Sequence, residues 1–84
     1  DRIPTFKIKS SEILNSNFTI IDAIEKLKLS KSRSDTKRLI KSNGIKINDK
    51  IFNSKNLLLD MYLNNSEIKI NVGKKNIGIL KINK

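Results

Sequence analysis

One stretch, Ser30 to Ile51, constrains this chain more than any other, because it holds a helix start, a helix stop and a strand in succession. Ser32 is placed to cap a helix. Its hydroxyl can accept a hydrogen bond from the backbone N–H of Asp35, and the Asp35 carboxylate can reach back to the N–H of Ser32, a capping box with Asp in place of Glu. Gly44 follows the last helical residue and is expected to take the left-handed conformation that ends a helix. Ile45 and Ile47 then alternate with Lys46 and Asn48, which is the strand period, and Asn48-Asp49-Lys50 is turn chemistry.

The helix between those signals has two unlike faces. At about 100° per residue, Thr36, Leu39 and Ile40 share one side, with Asn43 near it. Ser34, Lys37, Arg38 and Lys41 share the other, with Lys31 and Arg33 at its start. The first side is expected in a core, Leu39 above all. The second carries only positive charge and a hydroxyl. A solvated face is the ordinary fate of a polar helix side, but such a face normally mixes signs to gain i,i+4 pairs. Lys37 and Lys41 are like charges four apart. An unfavourable arrangement kept on one face points to an anionic partner.

Composition supports that direction and excludes others. The 84 residues carry a net charge of +10, which suits RNA, DNA or an acidic membrane surface. The chain is also rich in Ile, Lys and Asn, as a coding bias toward A and T would make it, so the placement of charge says more than its total. A chain of this length is one small domain, able to bury only about two-thirds of its unfolded surface. With no cysteine and no histidine there are no disulfides, no thiolate nucleophile and none of the usual zinc sites. No apolar run approaches the roughly 18 residues of a membrane-spanning helix, and no signal peptide is visible. The start, Asp-Arg-Ile-Pro without Met, reads as a piece cut from a longer protein.

The rest of the chain reads as α+β, a helix pair on a small, mostly antiparallel sheet. Residues 1–18 are a linker and lead-in segment, and residues 19–84 the domain. Within the lead-in, Phe6 and Ile8 alternate with Lys7 and Lys9, an edge strand or a linker equally, and Ser11–Leu14 form a helical turn. Residues 19–28 are an amphipathic helix with a Thr19/Asp22 capping box and Phe18 stapled against Ala23. Its Ile20, Ala23, Ile24 and Leu27 are core. Asn53-Ser54-Lys55-Asn56 is a loop. Leu57 to Leu63 fits neither period and is expected as an irregular, partly buried connection. Residues 67–72 alternate as a strand, Gly73-Lys74-Lys75 turns, and residues 76–82 return as a strand. There the apolar positions switch faces, from Ile77 and Ile79 to Leu80 and Ile82. The switch predicts a bulge at Gly78.

No catalytic constellation emerges. Asp22 and Asp35 read as caps, the other acids as surface, and Val72-Gly73-Lys74-Lys75 lacks the spacing and context of a phosphate-binding loop. The chain by itself is therefore not expected to be an enzyme, nor to hold a cofactor or metal. Three basic clusters are the candidate binding residues. They are Lys31, Arg33, Ser34, Lys37, Arg38 and Lys41 on the helix; Lys46, Asn48 and Lys50 at the following turn; and Lys74, Lys75 and Asn76 in the last hairpin. Arg can grip a phosphate with two parallel donors and Lys acts as a point charge. Ser34 and Asn48 can bond phosphate or a ribose 2′-hydroxyl. Phe6, Phe18, Phe52 and Tyr62 lie outside these clusters, so backbone and shape recognition is expected over base stacking.

Ser32-Arg33-Ser34-Asp35-Thr36-Lys37-Arg38-Leu39-Ile40, followed by Asn43-Gly44-Ile45-Lys46-Ile47-Asn48, resembles the S-R-S-E-A-R-R-L-I…G-G-V-x-V-N pattern of the S-four RNA-binding domain family. Thr36 stands for the usual Ala, and Asn43 for a frequent Gly. With the Ile-Pro start and the closing hairpin Val72-Gly73-Lys74-Lys75-Asn76, the order is similar to the C-terminal appendage of bacterial tyrosyl-tRNA synthetases over nearly the whole chain. That resemblance implies an S-four-like fold that binds tRNA(Tyr) outside the acceptor end, near the anticodon stem and long variable arm. It implies a monomeric fragment of a cytoplasmic, homodimeric parent whose separate catalytic domain uses ATP. The same module occurs in pseudouridine synthases, ribosomal proteins and heat-shock ribosome-binding proteins, where its partner would be ribosomal RNA. A basic structural or interaction domain is the reading of a different class.

Overall fold

The computed structural model describes residues 3–53, 57 and 59–83. The loop expected at 53–56 therefore falls outside it from Ser54 onward, as do Leu58 and the terminal residues Asp1, Arg2 and Lys84. The elements run β1 (Thr5–Lys9), α1 (Ser10–Asn15), α2 (Ile20–Leu27), α3 (Arg33–Lys41), β2 (Ile45–Ile47), β3 (Lys50–Ile51), a short 3-10 turn (Asp60–Tyr62), β4 (Glu67–Val72) and β5 (Asn76–Asn83). The five strands form one sheet in the order β1-β5-β4-β2-β3. Every pairing is antiparallel except β1 with β5. The fold is α+β, compatible with an S-four-like domain.

Alternation makes one face of the sheet apolar. Ile8, Ile45, Ile47, Ile68, Ile70, Val72, Leu80 and Ile82 are all buried on it, and α2 adds Ile20, Ile21, Ala23, Ile24 and Leu27 to the same core. Fully burying a side chain of this size stabilises by roughly 1.5–3 kcal/mol. The Thr19/Asp22 capping box is complete: the Asp22 N–H donates to the Thr19 hydroxyl at 3.2 Å, and the Thr19 N–H donates to the Asp22 carboxylate at 3.0 Å. Phe18 and Ala23, on either side of that cap, are both buried. The irregular stretch after residue 56 pairs briefly with the start of α2, the Ile20 N–H donating to the Leu57 carbonyl at 2.9 Å. Leu59 is fully buried beside it.

Of the two readings open for residues 5–9, the edge strand is the one found, running parallel to β5 with Ile8 opposite Ile82. The expected bulge at Gly78 is absent. The β4–β5 register runs unbroken from Glu67 opposite Lys81 to Val72 opposite Asn76. The glycine is needed for a different reason. It faces the core, where a Cβ would come within 2.9 Å of Leu29 Cδ1 and 3.0 Å of Leu27 Cδ1. The last residue of α2 and Leu29 beyond it press directly on the strand, and Ile77 and Ile79 lie half-buried on the opposite sheet face.

The stop of α3 is also shifted by one residue. Asn43, not Gly44, takes the left-handed conformation, with φ 61°. The Gly44 N–H then donates to the Leu39 carbonyl at 2.7 Å and the Asn43 N–H to the Ile40 carbonyl at 3.3 Å, the paired bonds of a Schellman ending. Gly44 lies against Leu39: a Cβ there would come within 2.9 Å of Leu39 Cδ2 and displace that side chain. α2 ends in the same way, with Lys28 left-handed at φ 57°.

Candidate nucleic-acid interface

α3 is positioned at three points. At its start, the Ser32 hydroxyl accepts from the Asp35 N–H at 3.1 Å. The reciprocal half of the expected capping box is missing, because the Asp35 carboxylate lies toward Arg38, 3.9 Å away, one turn further along the helix surface. Beneath the helix, Thr36 is 1% exposed. Its hydroxyl bonds the Ser32 carbonyl at 3.1 Å and the Ser30 hydroxyl at 2.6 Å, so the polar group is satisfied where an alanine would have left only a methyl. Leu39 and Ile40, expected in the core, are half-buried and packed against its rim.

The third point is an ion-pair latch between helices. Arg33 donates to Asp22 of α2 at 2.9 Å and to Glu25 at 3.1 Å. Burial pushes the Asp22 carboxyl up, but the Thr19 N–H, the Arg33 guanidinium and the Thr19 hydroxyl outweigh it and hold Asp22 below its ordinary value of 3.8. Bonding to Asp22 raises the already high Arg33. Arg33 is therefore occupied within the protein by two carboxylates of α2, whereas Arg38 has only the longer, 3.9 Å contact with Asp35.

Ser34, Lys37, Arg38 and Lys41 are all exposed. The Arg38 side chain is 80% accessible. Its neighbour across a cleft of 380 Å³ is the β4–β5 hairpin: Leu29, Lys31, Arg38, Leu39, Val72 and Asn76 line that cleft. Asn76 is fixed there, its side-chain amide donating to the Leu29 carbonyl at 3.0 Å. This bond ties the hairpin to the loop between α2 and α3. Gly73, at φ 68°, turns the hairpin and leaves Lys74 and Lys75 exposed at its tip. Helix and hairpin cations, about 35 residues apart in the chain, thus border one surface.

The middle cluster does not join them as a unit. Lys46 alternates with the buried Ile45 and Ile47, so it stands on the sheet face away from the helices. Asn48 and Asp49, at φ 52° and 70°, form the tight two-residue turn that links β2 to β3. The Asn48 side chain accepts from the Lys69 N–H at 3.0 Å, and Asp49 pairs with the Lys69 ammonium at 2.9 Å. Lys50 lies exposed on the two-residue edge strand. Sequence reasoning passed over Lys28, which borders two further clefts, one with Lys75 and one with Lys31. Its position just past a helix end was the available signal. Among the described residues no three His, Cys, Asp or Glu side chains gather as a metal site, and no helix is long and apolar enough to cross a membrane.

No protein-family model matches the chain, but individual proteins do. It is 41% identical over 76 residues to the tyrosine–tRNA ligase of Pelagibacter ubique, covering 89% of this chain and 18% of that protein. It is 34% identical over 85 residues to the tyrosine–tRNA ligase of Malacoplasma penetrans, covering 100% of this chain and 20% of that protein. The tyrosine–tRNA ligase of Orientia tsutsugamushi (strain Ikeda) is 34% identical over 85 residues, with 100% of this chain and 21% of that protein covered. The chain thus spans about a fifth of the length of these relatives. Over nearly its whole length the chain is homologous to one segment of these tyrosine–tRNA ligases.

Proposed function

We propose that this chain is the C-terminal, S-four-like tRNA-binding domain of a tyrosine–tRNA ligase, and that it holds tRNA(Tyr) outside the acceptor end. The observation that carries the reading is the surface where Arg38 and Lys31 share a cleft with the β4–β5 hairpin, in a chain homologous to these ligases. Lys31, Lys37, Arg38, Lys41, Lys74 and Lys75 would contact backbone phosphates, with Ser34 bonding phosphate or ribose. Phe18 and Phe52 are buried, and Phe6 and Tyr62 half-buried in the core rim. None of the four is offered for base stacking, which supports recognition by backbone and shape. In this reading the parent is a cytoplasmic homodimer whose other domain joins tyrosine to tRNA at the expense of ATP, and this domain supplies grip without chemistry.

Filter binding of a tRNA(Tyr) transcript over a range of salt tests the reading. Six neutralised phosphates give a slope of log affinity against log salt of roughly −4 to −5. A slope near zero overturns it.

A further inference from the structure

We propose that Lys28 is a phosphate-binding residue that joins α3 to the β4–β5 hairpin in one continuous track for an RNA backbone. The inference rests on the RNA-binding reading above. Three clefts adjoin in series, each sharing a cation with the next. Arg38 and Lys31 line the first, Lys31 and Lys28 the second, of 210 Å³, and Lys28 and Lys75 the third, of 390 Å³. The first and third clefts also meet at Leu29 and Asn76, which carry no charge, so Lys28 supplies the cation between Lys31 and Lys75. With it, a strand laid along the clefts meets a positive charge at every step. An ammonium on a four-carbon stem suits this place, because it can follow a phosphate whose position varies.

Two further observations favour a ligand for Lys28. Its backbone is left-handed at φ 57°, held by its N–H donating to the Glu25 carbonyl and by the Leu29 N–H donating to the Ile24 carbonyl. Glycine is the residue favoured at such a helix end, and a side chain there is unfavourable for folding. The lysine is thus kept where a smaller residue would make a more stable domain. Its side chain is also exposed, with no carboxylate within ion-pair distance among the described residues. Glu25 borders the same cleft but is engaged by Arg33 at 3.1 Å. The latch neutralises that carboxylate, while Asp35, the acid lining the first cleft, lies 3.9 Å from Arg38.

The test uses Lys28→Gly and Lys28→Gln, with melting and salt-dependent titration of a tRNA(Tyr) transcript, and Arg38→Ala measured alongside. Lys28→Gly should melt higher than the natural domain while its affinity falls several-fold and its salt slope loses about one unit. Lys28→Gln should lose the same binding. Stability and binding moving in opposite directions cannot come from a purely structural residue. If both Lys28 variants bind as the natural domain does while Arg38→Ala binds weakly, the track is overturned and the RNA-binding helix stands. If Arg38→Ala also binds unchanged, the RNA reading and the track fall together.

Discussion

Gly78→Ala separates the two explanations of that glycine. The added methyl would lie 2.9 Å from Leu29 Cδ1 and 3.0 Å from Leu27 Cδ1, with Leu27 Cβ at 3.4 Å. Both leucines are 5% exposed, so neither side chain can swing into solvent. Overpacking of this kind costs about 1–3 kcal/mol. Replacing a mid-strand glycine returns about 0.5–1 kcal/mol of backbone entropy. The midpoints of these ranges leave a net loss of about 1 kcal/mol, which for a domain this small lowers Tm by roughly 4–8 °C. Circular dichroism melting measures it. A double-mutant cycle with Leu29→Ala locates the cause. The methyl at 78 then enters space that the truncated leucine has vacated, and the double variant should be more stable than additivity predicts by at least about 0.5 kcal/mol. An unchanged or raised Tm for Gly78→Ala, or additivity in the cycle, would refute the close approach of Leu27 and Leu29 to β5.

Ser32→Ala should cost about 1 kcal/mol, read from the denaturant midpoint, because the Asp35 N–H loses its only capping partner on that residue. Leu39→Ala should cost about 1–2 kcal/mol, less than the 2–5 of a fully buried leucine, since Leu39 is half-buried; a larger loss would mean that the helix sits deeper. Asp22→Asn should flatten the acid side of the stability profile. The folded Asp22 titrates below its ordinary 3.8, so its charge stabilises fully above that value and the contribution is lost as pH falls through the lower, folded pKa. Melting from pH 7 down to 2 should show the natural domain weakening below about pH 4 more steeply than the variant.

Much of this was legible because local signals agreed with the global fold. Thr19 and Asp22 capped α2 as their types require, period-two alternation marked β4 and β5, and the unlike faces of α3 separated Thr36 from Lys37, Arg38 and Lys41. The misreadings share one physical origin: a residue's local propensity was taken as its role, and a distant contact decided otherwise. Gly44 and Gly78 looked like conformational devices, but both lie where leucine side chains approach the backbone closely. Asn43 can adopt the left-handed backbone itself, which left Gly44 for the contact. Arg33 sits among free cations in sequence, and only the packing of α2 beside α3 brings Asp22 and Glu25 to it. Lys46 is next to basic residues in the chain and on the wrong side of the sheet in space. Alternation predicts that separation once the buried face is known, which needs the sheet order.

The charge itself supplies the most direct test, because the domain carries lysines on both sides. Lys37, Arg38 and Lys41 form the outward face of α3. Lys7 and Lys81, paired across β1 and β5, and Lys9 stand on the sheet face away from the helices. Two triple variants to Gln, one for each set, remove the same charge from opposite surfaces. Titrated with a tRNA(Tyr) transcript over a range of salt, the helix variant should lose about three units of slope and most of its affinity. The sheet variant should keep both nearly intact. Equal losses from the two faces would contradict the account, because binding would then follow net charge and not the surface built by α3 and the β4–β5 hairpin.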